Sequence, residues 1–233
     1  MWPIRTLERE LITIACSPKN ISFCWIEKKQ NSSFCVRAYE RHELHHLELE
    51  NLTLFNPTRI KQLITDFLVK HNKQNAFITI SLSGPGITEK FVAHSSSTPN
   101  RADFGIQRSS NLLWDYRYMY PNDHGQFIFY LYTVPRALLL QYKLLAITAH
   151  LNLITITTKR MALLNAYKHI FGAAFRRSQF GIDMIKHHNK IEELISTPIL
   201  QRIVTIPPTI SATDECVHLA TAYGLFTLGE LPQ

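Results

Sequence analysis

Hydrophobic and polar positions alternate in short runs at the start of the chain and then change period. Leu11–Cys16 is a β-rich apolar run, Ser17-Pro18-Lys19-Asn20 a turn cluster, and Ile21–Glu27 and Phe34–His42 are two more strand-like runs on either side of the polar turn Lys28–Ser33. An antiparallel meander follows from this spacing. Leu44–Phe55 fits neither a strand nor a helix period. Asn56 then suits a helix N-cap and Pro57 the first helical position. Ile60, Leu63, Ile64, Phe67 and Leu68 form one apolar stripe behind them. Phe77–Leu82 alternates as a strand and ends in Ser83-Gly84-Pro85-Gly86.

Beyond that turn, Phe91–His94 is a short strand, Ser95–Arg101 a polar linker, and Ile106–Tyr116 is read as a helix. Gln126–Val134 is apolar on both faces, as in a strand buried within a sheet. Pro135 opens a helix to about His150, with Leu138, Tyr142, Leu145, Ala146 and Ala149 on one side. Leu151–Thr157 is a strand. Thr158 can cap a helix running to Phe171, which Gly172 stops. Residues 173–210 are irregular and Pro-punctuated, with one helix around Ile182–Ile195. Asp214–Leu228 is helical, and its Ala220, Ala222 and Gly224 allow close packing. Strands, then helix, strand, insert, strand and helix describe a mixed α/β chain.

Composition adds two constraints. Only 8 of the 233 residues are glycine, and none precedes Gly84. Loops that bring backbone against a phosphate need glycine, so the first third of the chain is poorly equipped for a nucleotide loop. The net charge is +7, and between Arg136 and Lys190 nine basic residues stand against a single acid, Asp183. Carboxylate chemistry from the middle of the chain is thereby nearly excluded, and acidic partners are favoured.

Candidate chemistry is otherwise sparse. Cys16, Cys24, Cys35 and Cys216 lie in apolar contexts without a C-x-x-C pair and read as buried reduced thiols. His42, His45 and His46, and the pair His187 and His188, lack the helical spacing that puts two imidazoles on one face, so no metal site is assigned. Ser83-Gly84-Pro85-Gly86 has neither a nucleophile-elbow nor a phosphate-loop order. No catalytic residue and no cofactor are assigned, and the chain is read as a non-enzyme. No apolar run approaches the about 18 residues of a span, so a cytoplasmic location is expected, with any membrane link made through a partner or the basic face. A basic nucleic-acid-binding protein is the alternative: Tyr142, Tyr167, Phe171, Phe175 and Phe180 interleave with the basic segment, and Arg176-Arg177 could grip phosphates.

The order of elements, with several local stretches, resembles the PilM-type actin-like pilus assembly proteins. Phe77–Thr88 looks like the strand and turn that enter that family's inserted subdomain. Tyr118-Met119-Tyr120-Pro121 is similar to a Tyr-x-x-Pro stretch within it. Val134-Pro135-Arg136, then His150-Leu151-Asn152-Leu153, resemble the family's helix, Gly-Leu, strand return, with His150 in place of the glycine. Thr158–Phe171 with Met161-Ala162-Leu163-Leu164, and Ala220-Thr221-Ala222-Tyr223-Gly224-Leu225, complete the match. Secretion relatives of GspL type share the architecture but carry a transmembrane segment.

The resemblance implies an actin-like (ribonuclease H-like) α/β core from residues 1–88, 151–172 and 212–233. Residues 89–150 would be a small inserted α/β subdomain, and 173–211 a remnant of the nucleotide-holding second half. The family's Asp-x-Gly phosphate turn is replaced here by Ala15-Cys16-Ser17-Pro18-Lys19-Asn20, so ATP binding is not carried over. What remains is a cytoplasmic adaptor, peripheral to the inner membrane, in a type IV pilus or related secretion assembly. Its implied partner is the cytoplasmic peptide of a PilN-like bitopic membrane protein. Trp114, Tyr116, Tyr118, Tyr120 and Pro121 are the expected peptide anchors, and Arg136, Lys143, Arg176 and Arg177 a basic surface suited to anionic headgroups.

Overall fold

A computed structural model of the chain describes residues 10–29, 33–44, 49–50, 53–54, 57–84, 86–105, 111–122, 124–171, 200–201, 204–211 and 215–229. In chain order its elements begin with β1 (Glu10–Cys16), β2 (Asn20–Lys28), β3 (Phe34–Glu43), the short pair β4 (Leu49–Glu50) and β5 (Thr53–Leu54), and α1 (Pro57–Lys70). Then come β6 (Phe77–Leu82), β7 (Thr88–His94), a 3-10 turn at Arg101–Phe104, β8 (Leu112–Pro121), β9 (Phe127–Pro135) and α2 (Arg136–Thr148). β10 (Asn152–Thr158), α3 (Lys159–Phe171), β11 (Val204–Thr205) and α4 (Cys216–Gly229) complete it.

The meander is as the spacing predicts, with β1, β2 and β3 antiparallel in chain order. β6 runs parallel to β1 on its other side, and β10 parallel to β6. Two residues from the segment read as irregular, Val204 and Thr205, run parallel to Phe34 and Cys35, giving the order β10-β6-β1-β2-β3-β11.

Period-two alternation sends the strands' side chains to opposite faces. Ile12, Ile14, Ile21, Phe23, Ile78 and Ile80 bury one face under α1 and α2. All five residues of the α1 stripe are buried there, and Phe67 stacks on Phe23 with ring centroids 5.2 Å apart. Leu138, Tyr142 and Leu145 carry α2 onto the same cluster, although the sequence reading groups this helix with the insertion.

Leu11, Cys24 and Ile26 face α3 and α4 on the other side. Small buried hydroxyl residues, Thr13, Ser22, Thr79 and Ser81, also lie within the sheet. Gly224 lets the two helices meet backbone to backbone: a Cβ there would sit 1.8 Å from the Ala162 carbonyl oxygen. Asn165 Nδ2 stitches the crossing by donating to Thr227 Oγ1 at 2.6 Å. The Met161 amide donates to Thr158 Oγ1 at 3.2 Å, the expected N-cap of α3.

β7, β9 and β8 form a separate antiparallel sheet in that order, inserted between β6 and α2. Here one expectation is overturned. Residues 112–116, read as the end of a helix, belong to β8. Trp114, Tyr116 and Tyr118 alternate with Asp115, Arg117 and Met119, and the aromatics need a flat partner sheet to cover them. β9 supplies it: Tyr118 lies opposite Phe129 and Tyr116 opposite Leu131. Residues 106–110 and 182–195, also read as helical, lie outside the described residues, as does the cap Asn56.

Candidate functional site

Each sheet has a free edge among the described residues. β10 is the outer strand of the large sheet and β8 the outer strand of the small one. Both edges border one cleft of about 190 Å³ where β6 hands over to the insertion. Leu82 closes β6 at its base, Leu113, Trp114 and Asp115 come from β8, and Ile156, Thr157 and Thr158 from β10. Tyr132 and Val134 of β9 and Leu139 of α2 line the rest. The walls are mostly apolar, half of them aliphatic, with a few hydrogen-bonding groups at set positions.

Those polar groups are held in place. Tyr132 donates its hydroxyl to Asp115 Oδ2 at 3.3 Å, and the Tyr116 amide donates to Asp115 Oδ1 at 2.9 Å. Burial, reinforced by the Asp115 charge, pushes the Tyr132 hydroxyl up to about 12, so it stays a donor throughout the neutral range. On the other side Thr158 bonds the Glu89 carboxylate, which Arg160 Nε also approaches at 3.6 Å. Glu89 belongs to β7 and Thr158 ends β10, so this cluster ties the small sheet to the large one beside the cleft. Sheet edges offer unpaired backbone groups to an added strand. A cleft between two such edges can therefore accept an extended chain, with its side chains in the aliphatic lining.

The expected anchors fall in two places. Trp114 lines the cleft while its ring leans on Phe104 at 6.4 Å. Tyr116 packs against Phe104 at 4.8 Å and Phe129 at 5.6 Å, and donates its hydroxyl to the Pro99 carbonyl at 2.9 Å. Tyr118 is 38% exposed, beside Phe127 and Phe129. Tyr116 and Tyr118 thus share the small sheet's outer aromatic cluster rather than the cleft. Tyr120 lies in β8 opposite Ile128, its side chain outside the described residues, and Pro121 is an exposed strand end opposite Phe127. Leu113, Asp115, Tyr132, Val134, Ile156 and Thr157 were missed. The lone acid in an aromatic strand was the one signal that pointed to Asp115.

Of the basic surface, Arg136 and Lys143 are exposed on α2, and Arg176 and Arg177 lie outside the described residues. Tyr142 and Tyr167 are core side chains, 1% and 2% exposed, so neither ring can stack on a base. His42 packs on Phe23 and faces Glu40 at 3.4 Å, whereas His45, His46, His187 and His188 lie outside the described residues. Among the described residues no helix is long and apolar enough to cross a membrane.

The hairpin that the resemblance aligns with a phosphate turn is closed on itself. Asn20 and Lys19 donate their amides to Ser17 Oγ at 3.0 and 3.4 Å, and the Ser17 amide donates to the Asn20 carbonyl at 2.9 Å. Three backbone amides of the turn, those of Ser17, Lys19 and Asn20, are thus spent inside it.

Known structures place this architecture. A chain of the PilM–PilN type IV pilus biogenesis complex superposes at TM-score 0.64 and 9% identity, covering 96% of this chain and 99% of that one. The fold is actin-like. The cytoplasmic domain of EpsL, an inner membrane component of the type II secretion system of Vibrio cholerae, gives TM-score 0.43 at 8% identity over 66% of this chain and 57% of that one. The ethanolamine utilization protein EutJ from Carboxydothermus hydrogenoformans gives 0.41 at 8% identity over 95% and 92%. Identities this low establish the fold alone. No protein-family model matches the chain, and no curated protein matches its sequence.

Proposed function

We propose that the chain is a non-catalytic cytoplasmic adaptor of a type IV pilus or related secretion assembly complex at the inner membrane. In this reading the cleft between β8 and β10 takes the cytoplasmic peptide of a PilN-like bitopic membrane protein. The observation that carries it is the cleft itself: the outer strands β8 and β10 of the two sheets, as described, meet there with an apolar lining and placed polar groups at the junction of an actin-like core and its insertion. Strand addition would supply the backbone hydrogen bonds, and alternate peptide side chains would fill the pocket between Val134, Leu139 and Ile156. The self-satisfied Ser17 turn supports the absence of nucleotide chemistry.

The test is fluorescence anisotropy with a labelled cytoplasmic juxtamembrane peptide of a PilN-like bitopic membrane protein. Saturable binding is expected. Ile156→Arg and Val134→Arg should each weaken it at least about tenfold, while Tyr118→Ala, on the outer face, should not. Full-strength binding by both arginine variants would remove the site from the cleft. Saturable heat on titrating ATP and magnesium would overturn the expectation that the nucleotide site is lost.

A further inference from the structure

The exposed face of α2 is unlike an ordinary solvated helix face. Leu140 is 52% exposed, Leu144 60% and Ile147 70%. At about 100° per residue these three fall within an arc of roughly 100° together with exposed Arg136 and Lys143. The opposite arc carries the buried Leu138, Tyr142, Leu145 and Ala146. No Asp or Glu occurs anywhere from residue 124 to 171, and neither Arg136 nor Lys143 has a carboxylate partner among the described residues. A helix face of large aliphatics and cations, free of acids, is matched by a surface that is apolar just below a layer of negative charge.

We infer that α2 makes direct contact with an anionic lipid surface, its three aliphatic side chains entering the headgroup boundary and Arg136 and Lys143 meeting the lipid phosphates. A second copy of the chain fits the same face badly. Self-association would set Lys143 and Arg136 against like charges with no acid to neutralise them. Three aliphatic side chains also fall far short of the roughly 20–30 residues per side of a stable protein interface. Shallow interfacial insertion needs only one helix face. This contact is independent of what fills the cleft, because α2 offers the cleft only Leu139, which lies outside that arc.

Co-sedimentation of the full chain with protein-free vesicles tests it. Vesicles of phosphatidylcholine mixed with phosphatidylglycerol should retain the protein at low salt, and vesicles of phosphatidylcholine alone should not. Lys143→Ala should weaken retention about fivefold, the contribution of one cation near such a surface. The double variant Leu144→Gln, Ile147→Gln should reduce it to background while its circular dichroism and unfolding midpoint stay unchanged, since both positions are exposed. No retention on the mixed vesicles, or equal retention of the double variant, overturns the inference. So does a sedimentation-velocity dimer that the double variant converts to monomer. None of these outcomes bears on peptide anisotropy, so the two proposals fail separately.

Discussion

Two helices cover the same face of the large sheet, and they differ in what they leave outside. α1 buries Ile60, Leu63, Ile64, Phe67 and Leu68 and turns Arg59, Gln62, Thr65, Asp66 and Lys70 to solvent, with Val69 its one large exposed apolar residue. α2 buries Leu138, Tyr142, Leu145 and Ala146 and also exposes Leu140, Leu144 and Ile147. Folding requires only the inner stripe. The outer aliphatics of α2 are surplus to the core, and surplus apolar surface on one helix of a matched pair marks contact with something else. The two helices also end alike. Leu68 accepts from the Lys73 amide at 2.7 Å and Ala146 from the Leu151 amide at 2.9 Å, with Asn72 (φ 55°) and His150 (φ 52°) in the left-handed position between.

The strongest challenge to this comparison is to empty the two inner faces. Phe67→Ala should cost about 3–5 kcal/mol and Leu145→Ala about 2–5 kcal/mol, read from urea unfolding. A loss below 1 kcal/mol for Leu145→Ala would mean that α2 is not anchored as α1 is.

Next comes alkaline stability, which should separate the helices. The inner stripe of α1 has no titratable group, whereas Tyr142 of α2 bonds Cys16 at the end of β1. Burial pushes the Cys16 thiol from an ordinary 9.0 up to about 12, against the smaller opposing effect of the Tyr142 bond. Burial raises Tyr142 as well. The folded chain keeps a proton that the unfolded chain releases above pH 9. This contribution is therefore intact below pH 9 and lost as the pH climbs toward 12. Cys16 should account for about 3 kcal/mol of the fall in unfolding free energy between pH 8 and 11, beside a further fall from the equally buried Cys24, and Cys16→Ala should make the slope shallower by its share. A slope unchanged by that substitution would place the alkaline loss elsewhere.

The smallest effect lies at the helix ends. Asparagine tolerates the left-handed region better than histidine, so α1 is terminated more comfortably than α2. His150→Gly should raise stability by about 0.5–1 kcal/mol, seen as a higher Tm, and Asn72→Gly should raise it less. Equal gains would show that the two ends are equivalent.

The α1 stripe, the meander and the Thr158 cap were legible because each depends on a local period or a single hydrogen bond. His150, noted as standing where the resembling family has glycine, occupies the backbone conformation that glycine favours. β8 was misread because its helical reading stopped at Tyr116, before the alternation through Tyr118 and Met119 became visible. The cleft was legible only at Trp114, because a lining residue is defined by which strand is an edge and what faces it.

Apart from β8 and the short β11, the types and order of the elements expected here were determined by the sequence itself, through side-chain periods of 3.6 and 2 acting over a few residues. Tertiary structure alone decided two things: that Val204 and Thr205 join the large sheet, and that residues of β8 and β10 line one cleft. The helical period already sets Leu138, Tyr142, Leu145 and Ala146 of α2 on one side, and these are the residues that become buried. What the period does not name is the partner: that side docks onto Ile12, Phe23 and Ile80, residues far away in the chain, and Leu140 and Leu144 are left in the open. A local period shows which residues share a face, whereas the surface that face packs against is set by non-local packing.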